Sequence, residues 1–74
     1  MSQKIIREIK IKLKSMYKDY RFDITCSQDE LTYTITVYKD RNNLGSYTVQ
    51  SNTPMDQFLN SFMIWMKESI IGKR

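Results

Sequence analysis

Residues 31–39 read LTYTITVYK, in which every second position is apolar: Leu31, Tyr33, Ile35 and Val37. Threonines and Tyr38 occupy the positions between them. Because successive side chains of a strand point to opposite faces of a sheet, this alternation predicts a strand that is buried on one face only. Such a strand is typical of an antiparallel sheet with one open face.

Two shorter strands are predicted beside this one. Residues 21–26 alternate in the same way, and the polar link 27–30 that follows has the length of a hairpin connection. Residues 40–45 contain Asn and Gly, which adopt positive φ, so the chain is predicted to turn again before a third strand from Ser46 to Gln50. The inward side chains of these two strands are Phe22, Ile24, Cys26, Tyr47 and Val49. Three consecutive strands with short turns make an antiparallel meander.

A helical period marks both ends of the chain. From Ser2 to about Tyr17, apolar residues recur at three- and four-residue steps. A second helix is predicted with Thr53 as its N-cap, Pro54 in the first helical position and Asp56 near the positive end of the helix dipole, and Gly72 marks its end. The predicted core residues of the two helices are Ile5, Ile6, Ile9, Leu13, Met16 and Tyr17, then Met55, Leu59, Phe62, Met66 and Ile70, flanked by Phe58, Met63 and Trp65.

These elements predict one α+β domain over residues 1–74, in the order α-β-β-β-α. A chain of 74 residues can close a single small core. Each helix has one apolar stripe and only one sheet face is apolar, so both helices are predicted to pack on that face.

The composition excludes most catalytic chemistry. The chain has no His and one Cys, which removes the usual zinc ligand sets and the Cys/His and Ser/His/Asp nucleophile systems. We therefore expect no catalytic residue, no metal site and no cofactor. The longest apolar run, residues 62–66, is far shorter than the roughly 20 residues of a membrane span, so no membrane partner is expected. Cys26 is interpreted as a packed, unreactive residue, which suits a reducing cytoplasm.

The net charge of +4 is concentrated near the start of the chain. Residues 1–21 hold seven basic and two acidic side chains, whereas residues 22–66 hold two basic and five acidic ones. A helical wheel groups the following bases around an exposed apolar residue, Ile11: Lys4, Arg7, Lys10, Lys14 and Lys18. This pattern favours an anionic partner, although a solvated lysine-rich face is equally ordinary.

The predicted topology is similar to that of the double-stranded-RNA-binding domain. That family contacts RNA through its first helix, the loop after the first strand and the start of the second helix. Here the loop, Ser27-Gln28-Asp29-Glu30, is acidic, and the second helix opens Pro54-Met55-Asp56-Gln57 without a base. RNA binding of that kind is therefore not expected.

The chain resembles a small anti-CRISPR family of Firmicute phages and prophages in its three strands with an Asn/Gly turn and in three segments: residues 5–10 (IIREIK), 18–20 (KDY) and 58–62 (FLNSF). Members of that family inhibit the RNA-guided nuclease of type II-A systems. In them an acidic surface, with contacts from the turn between the second and third strands, occupies the DNA-binding region of the nuclease. The resemblance implies that the matching contact turn here is formed by Asp40, Asn42, Asn43 and Gly45. The family is strongly acidic in its last third, whereas this chain carries +4 overall, so a different face or target stays open.

The leading functional hypothesis is a cytoplasmic, non-enzymatic phage or mobile-element protein that inhibits a nucleic-acid-handling host enzyme. Its partner would be a host protein or ribonucleoprotein complex, bound through turns and the polar sheet face: Asp29, Glu30, Tyr38, Asp40, Asn42, Asn43 and Gly45. The alternative is a nucleic-acid-binding module that uses the first helix, through Lys4, Arg7, Lys10, Ile11, Lys14 and Lys18. A third hypothesis is a homodimer paired through an exposed sheet edge or through the Tyr38 face.

Overall fold

The computed structural model of the protein describes residues 3–29 and 31–72. Along the chain it contains helix α1 (Gln3–Met16), strands β1 (Arg21–Cys26), β2 (Thr32–Lys39) and β3 (Asn42–Gln50), helix α2 (Met55–Trp65) and a π-helical segment (Met66–Ile71). The predicted α+β class and the order α-β-β-β-α are confirmed. Ser2, the predicted start of the first helix, lies outside the described residues.

The three strands form one antiparallel sheet in the order β1-β2-β3. Phe22 of β1 pairs with Val37 of β2, and Tyr33 of β2 pairs with Val49 of β3. These side chains lie on the same face, and both helices cover it. The core joins the helices to the sheet through Ile9, Leu13, Phe22, Ile35, Val37, Phe58, Phe62 and Met66.

Phe62 lies at the centre of this core and is fully buried. Its ring centroid is 6.0 Å from that of Phe22 and 5.5 Å from that of Tyr47. Two further rings on α2, those of Phe58 and Trp65, lie 5.9 and 5.5 Å away. Edge-to-face and tilted pairs at these separations add to the stabilisation that burial provides.

The connection between β2 and β3 is shorter than predicted. Asp40 and Arg41 alone form the turn, with φ values of 52° and 70°, and β3 begins at Asn42 rather than at Ser46. Two consecutive positive φ values are typical of the type I′ turn, whose twist matches that of the strands it joins. The positive φ values of the turn therefore fall on Asp40 and Arg41, and the strand that follows is longer than its sequence indicated.

A β-bulge keeps the extended β3 in register. Tyr38 pairs with Asn43 and Val37 pairs with Gly45, so Leu44 is one residue too many on β3. Gly45 adopts a φ of 151°, a conformation that side-chain-bearing residues rarely take. The bulge returns the apolar residues of β3 to the helix-covered face.

Three residues predicted for the core are exposed instead. Leu31 is 63% exposed because it precedes β2, in a turn where its N–H binds the Asp29 carboxylate, so the strand alternation does not extend to it. Met16 ends α1 and is 41% exposed, and the neighbouring Tyr17 packs inward, with its ring 6.1 Å from that of Phe22. Met63, predicted at the flank of the second stripe, lies on the outer side of α2.

Helix α2 starts and ends differently from the prediction. Pro54 occupies the N-cap with ψ 145° and no side-chain hydrogen bond caps the helix, so the predicted Thr53 cap is wrong. Thr53 belongs to the preceding turn, where its N–H donates to the Gln50 carbonyl at 3.1 Å. Asp56 does lie in the first turn, as predicted. The last turn is π-helical, and Gly72 caps it by donating its N–H to the Lys67 carbonyl at 2.8 Å.

Candidate functional site: the hairpin end of the sheet

The residues predicted to bind a partner lie at two opposite ends of the sheet. Tyr38, Asp40, Asn42 and Asn43 meet at the β2–β3 hairpin, with Gly45 in the bulge next to it. Asp29 lies in the β1–β2 turn at the other end. Glu30 is outside the described residues. The predicted set is therefore not a single surface, and the hairpin holds most of it.

The hairpin presents its polar side chains on a well-ordered ladder. Asn42 pairs with Lys39 and Asn43 pairs with Tyr38, so both asparagines lie in β3 and not in a loop as predicted. The Gly45 N–H donates to Asn43 Oδ1 at 3.0 Å, which ties the Asn43 side chain to the bulge. Asp40 and Asn42 are exposed. These two side chains are the ones most available to a partner.

Other elements converge on the same end of the sheet. A groove of about 430 Å³ lies between the end of α1, the turn that follows α1 and the β2–β3 hairpin. We call this the basic groove, and its lining residues are Lys14, Lys18, Asp19, Tyr20, Arg21, Tyr38, Lys39, Asp40 and Arg41. Five of them are basic and two are acidic, and all five basic side chains are exposed. This end of the sheet is therefore positively charged, although residues 22–66 carry more acidic than basic side chains.

Two of the cations lie over aromatic rings. The guanidinium carbon of Arg21 is 4.6 Å from the centroid of the Tyr38 ring, and Lys39 Nζ is 5.3 Å from that of Tyr20. A cation over the face of a tyrosine is attracted by the ring quadrupole. Both rings are half-buried, so they hold these long side chains beside the groove.

The basic groove was not visible in the sequence because its residues come from separate segments. The start of β1 lies beside the end of β2, since the two strands are antiparallel, and this places Arg21 next to the hairpin. Lys18 lies in the turn after α1, not on the helix face to which it was assigned. The similar alternation on both sides of link 27–30 was the signal that could have placed Arg21 near the end of β2. Closure directly over that link would pair Arg21 with Thr36, two residues from its actual partner Tyr38.

The outer face of α1 carries the other predicted cluster. Lys4, Arg7 and Lys10 are exposed, and Ile11 is 63% exposed among them, as predicted. Arg7, Lys10, Ile11 and Lys14 border a shallow depression. Because Lys14 also lines the basic groove, the two positive surfaces share an edge at the end of α1.

Asp29 has a structural partner within its own turn. Ser27 Oγ donates to Asp29 Oδ1 at 2.6 Å, and the Leu31 N–H donates to the same oxygen at 3.1 Å. The Ser27 hydrogen bond and then the Leu31 hydrogen bond lower the pKa of the Asp29 carboxyl. This carboxylate organises the β1–β2 turn, which is an ordinary role for Asp in short turns.

The open face of the sheet is polar along its length. Thr34 lies 3.3 Å from Thr48 and Thr36 lies 3.3 Å from Ser46, measured between hydroxyl oxygens. These cross-strand pairs satisfy one another. Tyr38 stands at the hairpin end of this face, where Arg21 covers it.

Cys26 is a free thiol at the end of the edge strand β1. It is half-buried rather than buried as predicted, because the last residue of an edge strand has a neighbouring strand on one side only. Within residues 3–29 and 31–72, no group of three or more His, Cys, Asp or Glu side chains could hold a metal ion. Nor does this part of the chain contain a helix long and apolar enough to cross a membrane.

Comparison with known proteins gave no match: no family model, no curated protein and no solved structure resembles this chain significantly.

Proposed function

We propose that this protein is a small, non-enzymatic, cytoplasmic inhibitor that binds a host enzyme acting on nucleic acid through its β2–β3 hairpin. More specifically, we propose that it is an anti-CRISPR protein of phage or mobile-element origin that blocks an RNA-guided nuclease. The observation that carries it is the grouping of Tyr38, Asp40, Asn42 and Asn43 at one end of the sheet. Four of the seven predicted contact residues meet there.

The hairpin has properties that suit a binding element. Its two-residue turn and the strand pairing on both sides of it leave little backbone freedom to lose on binding, and a preorganised contact surface lowers the entropy cost of association. Asp40 and Asn42 project from it as exposed polar side chains. The core residue Val37 anchors the hairpin to the rest of the domain.

The residues that carry the anti-CRISPR resemblance divide into two groups. Ile5, Ile9, Phe58 and Phe62 belong to the core or pack against it, so their pattern supports a common fold. The turn, by contrast, supports a common mode of contact, because its position between the second and third strands matches the family's contact turn. Its surroundings are basic, which favours a negatively charged surface on the protein or ribonucleoprotein partner.

The proposal is tested by measuring DNA cleavage by a purified type II-A RNA-guided nuclease in the presence of the protein. We expect inhibition by the wild type and weaker inhibition by Asp40→Asn and Asn42→Ala, by about tenfold each, which corresponds to about 1.4 kcal/mol. Asn60→Ala is the matched control, because Asn60 is an exposed asparagine of α2 that neither belongs to the hairpin nor lines the basic groove. Unimpaired cleavage at a large excess of protein, or equal inhibition by all variants, contradicts the proposal.

The alternative, a nucleic-acid-binding module on α1, is favoured by one observation. Ile11 is exposed within a cluster of exposed bases, an arrangement that can place an apolar contact among phosphate-binding side chains. In that case duplex binding should be lost in the double variant Lys4→Ala/Lys10→Ala, while nuclease inhibition by the hairpin should be absent.

A further inference from the structure

We propose that the basic groove binds the phosphate backbone of single-stranded nucleic acid. The groove joins exposed bases from the end of α1, the following turn, the start of β1 and the hairpin. This inference goes beyond the proposed function, because nucleic acid can bind in the groove whether or not the protein inhibits an enzyme.

The distribution of charge over the sheet favours an anion at this end. Five basic and two acidic side chains line the groove. The depression at the opposite end, between the β1–β2 turn and the end of β3, is lined by Asp29 and uncharged residues. A phosphate strand is therefore attracted to one end of the sheet and not to the other.

The chemistry of the groove wall favours nucleic acid over an acidic protein. Among the described residues, every side chain that lines it is Lys, Arg, Asp or Tyr, and none is aliphatic. Protein–protein contacts normally bury an apolar centre. Nucleic-acid interfaces are more polar and much more positively charged. A protein partner would find no apolar anchor in the groove.

The shape and the aromatic rings favour a single strand. A groove of about 430 Å³ can receive one sugar–phosphate chain but is too small to enclose a duplex. Arg21 lies over the ring of Tyr38, so its guanidinium plane stands at the groove with an aromatic support behind it. Unpaired bases stack on such guanidinium planes and on tyrosine rings.

Arg41 has a backbone conformation that is unfavourable for a residue with a side chain. It adopts a φ of 70° in the hairpin turn, a position where glycine is least strained. A basic side chain occupies this position and lines the groove. This is consistent with a local strain that is retained for binding.

The test is titration of the full-length protein into a fluorescein-labelled oligothymidylate, followed by fluorescence anisotropy. If five cations contact phosphates, the log–log salt slope should be about −3.5, so affinity should fall about 100-fold between about 50 and 200 mM salt. The double variant Lys18→Ala/Arg41→Ala should bind at least about tenfold more weakly, with a slope near −2. Both side chains are exposed, and circular dichroism verifies that the variant is folded.

The charge-matched control is Lys4→Ala/Lys10→Ala, which removes two exposed bases of α1 that do not line the groove. It should bind the oligonucleotide nearly as tightly as the wild type. The proposal is overturned if the protein does not bind the oligonucleotide at low salt, or if it binds a duplex more tightly than the single strand. It is also overturned if the control loses more oligonucleotide affinity than the groove variant.

The same variants separate this inference from the proposed function. Asp40→Asn removes an acidic side chain from the groove, so oligonucleotide affinity should stay equal or increase while nuclease inhibition falls. Oligonucleotide binding without nuclease inhibition contradicts only the proposed function. Inhibition without oligonucleotide binding contradicts only the groove proposal.

Discussion

The guanidinium of Arg21 lies over the ring of Tyr38, with 4.6 Å between the guanidinium carbon and the ring centroid. The two residues are direct partners in the β1–β2 ladder. The pair therefore links the first residue of β1 to the end of β2, next to the β2–β3 turn. It also covers the aromatic side chain that stands on the otherwise hydroxyl-rich face of the sheet.

The interaction between Arg21 and Tyr38 should be measurable in a double-mutant cycle. An exposed cation–π contact contributes about 0.5–1 kcal/mol to the free energy of unfolding. We expect a coupling energy of this size from urea unfolding of Arg21→Ala, Tyr38→Ala and the double variant. Additive effects of the two single changes would show that the contact does not stabilise the fold.

The substitution Phe62→Ala should destabilise the protein by about 3–5 kcal/mol, the usual range for loss of a buried aromatic ring. Phe62 is fully buried and four other rings surround it. Ile11→Ala serves as the control, since Ile11 is mostly exposed and should change the unfolding free energy by less than about 0.5 kcal/mol. If thermal melts showed that Ile11→Ala destabilises the protein more than Phe62→Ala, the helix faces would be assigned wrongly.

The substitution Arg41→Gly should stabilise the protein by about 0.5–1 kcal/mol. A left-handed conformation is unfavourable by about 1–2 kcal/mol for a residue with a side chain, and the greater chain entropy of glycine offsets part of that gain. Arg41→Ala keeps the unfavourable φ and should not stabilise. The urea midpoints of the three proteins measure this difference. A midpoint for Arg41→Gly at or below that of the wild type contradicts the type I′ geometry.

The stability of the β1–β2 turn should depend on pH through Asp29. Hydrogen bonds from Ser27 and Leu31 lower the pKa of this carboxyl in the folded state. The stabilisation is therefore present above the unfolded pKa, about 3.9, and is lost as the pH falls through the lower folded value. The unfolding midpoint of Asp29→Asn should fall less than that of the wild type below about pH 4. If the unfolding midpoints of the two proteins fell by the same amount below about pH 4, the hydrogen bonds to Asp29 would not contribute to stability.

The order of elements could be predicted from periodicity, because burial of one face of a helix or strand places apolar residues at regular intervals in the sequence. Ile35 and Val37 alternate with threonines, and both are buried as predicted. The predictions failed where backbone conformation departs from a regular period. Residues 42–45 resemble a loop in composition, yet they form a bulged strand because two preceding residues complete the turn.

The candidate site was only half predictable for a different reason. Asp40, Asn42 and Asn43 were correctly placed near one another because they are close in sequence. Lys14 was assigned to the outer face of α1 and Arg41 to no binding surface, because the groove that both residues line depends on how α1 ends and on the β1–β2 pairing. Charge counted along the chain therefore predicted a mildly acidic middle segment, whereas the groove beside its hairpin is basic because cations from other segments join it.

The meander also has a consequence for the order of folding events. Each strand pairs only with its neighbour in sequence, and the β2–β3 ladder closes over just two residues, Asp40 and Arg41. Such local contacts need little loop-closure entropy and form rapidly. The contact between Phe22 and Phe62, by contrast, spans just over half of the chain. We expect the hairpin to be formed in the transition state for folding and the docking of α2 to come later, so that changes at Phe62 act mainly on the unfolding rate.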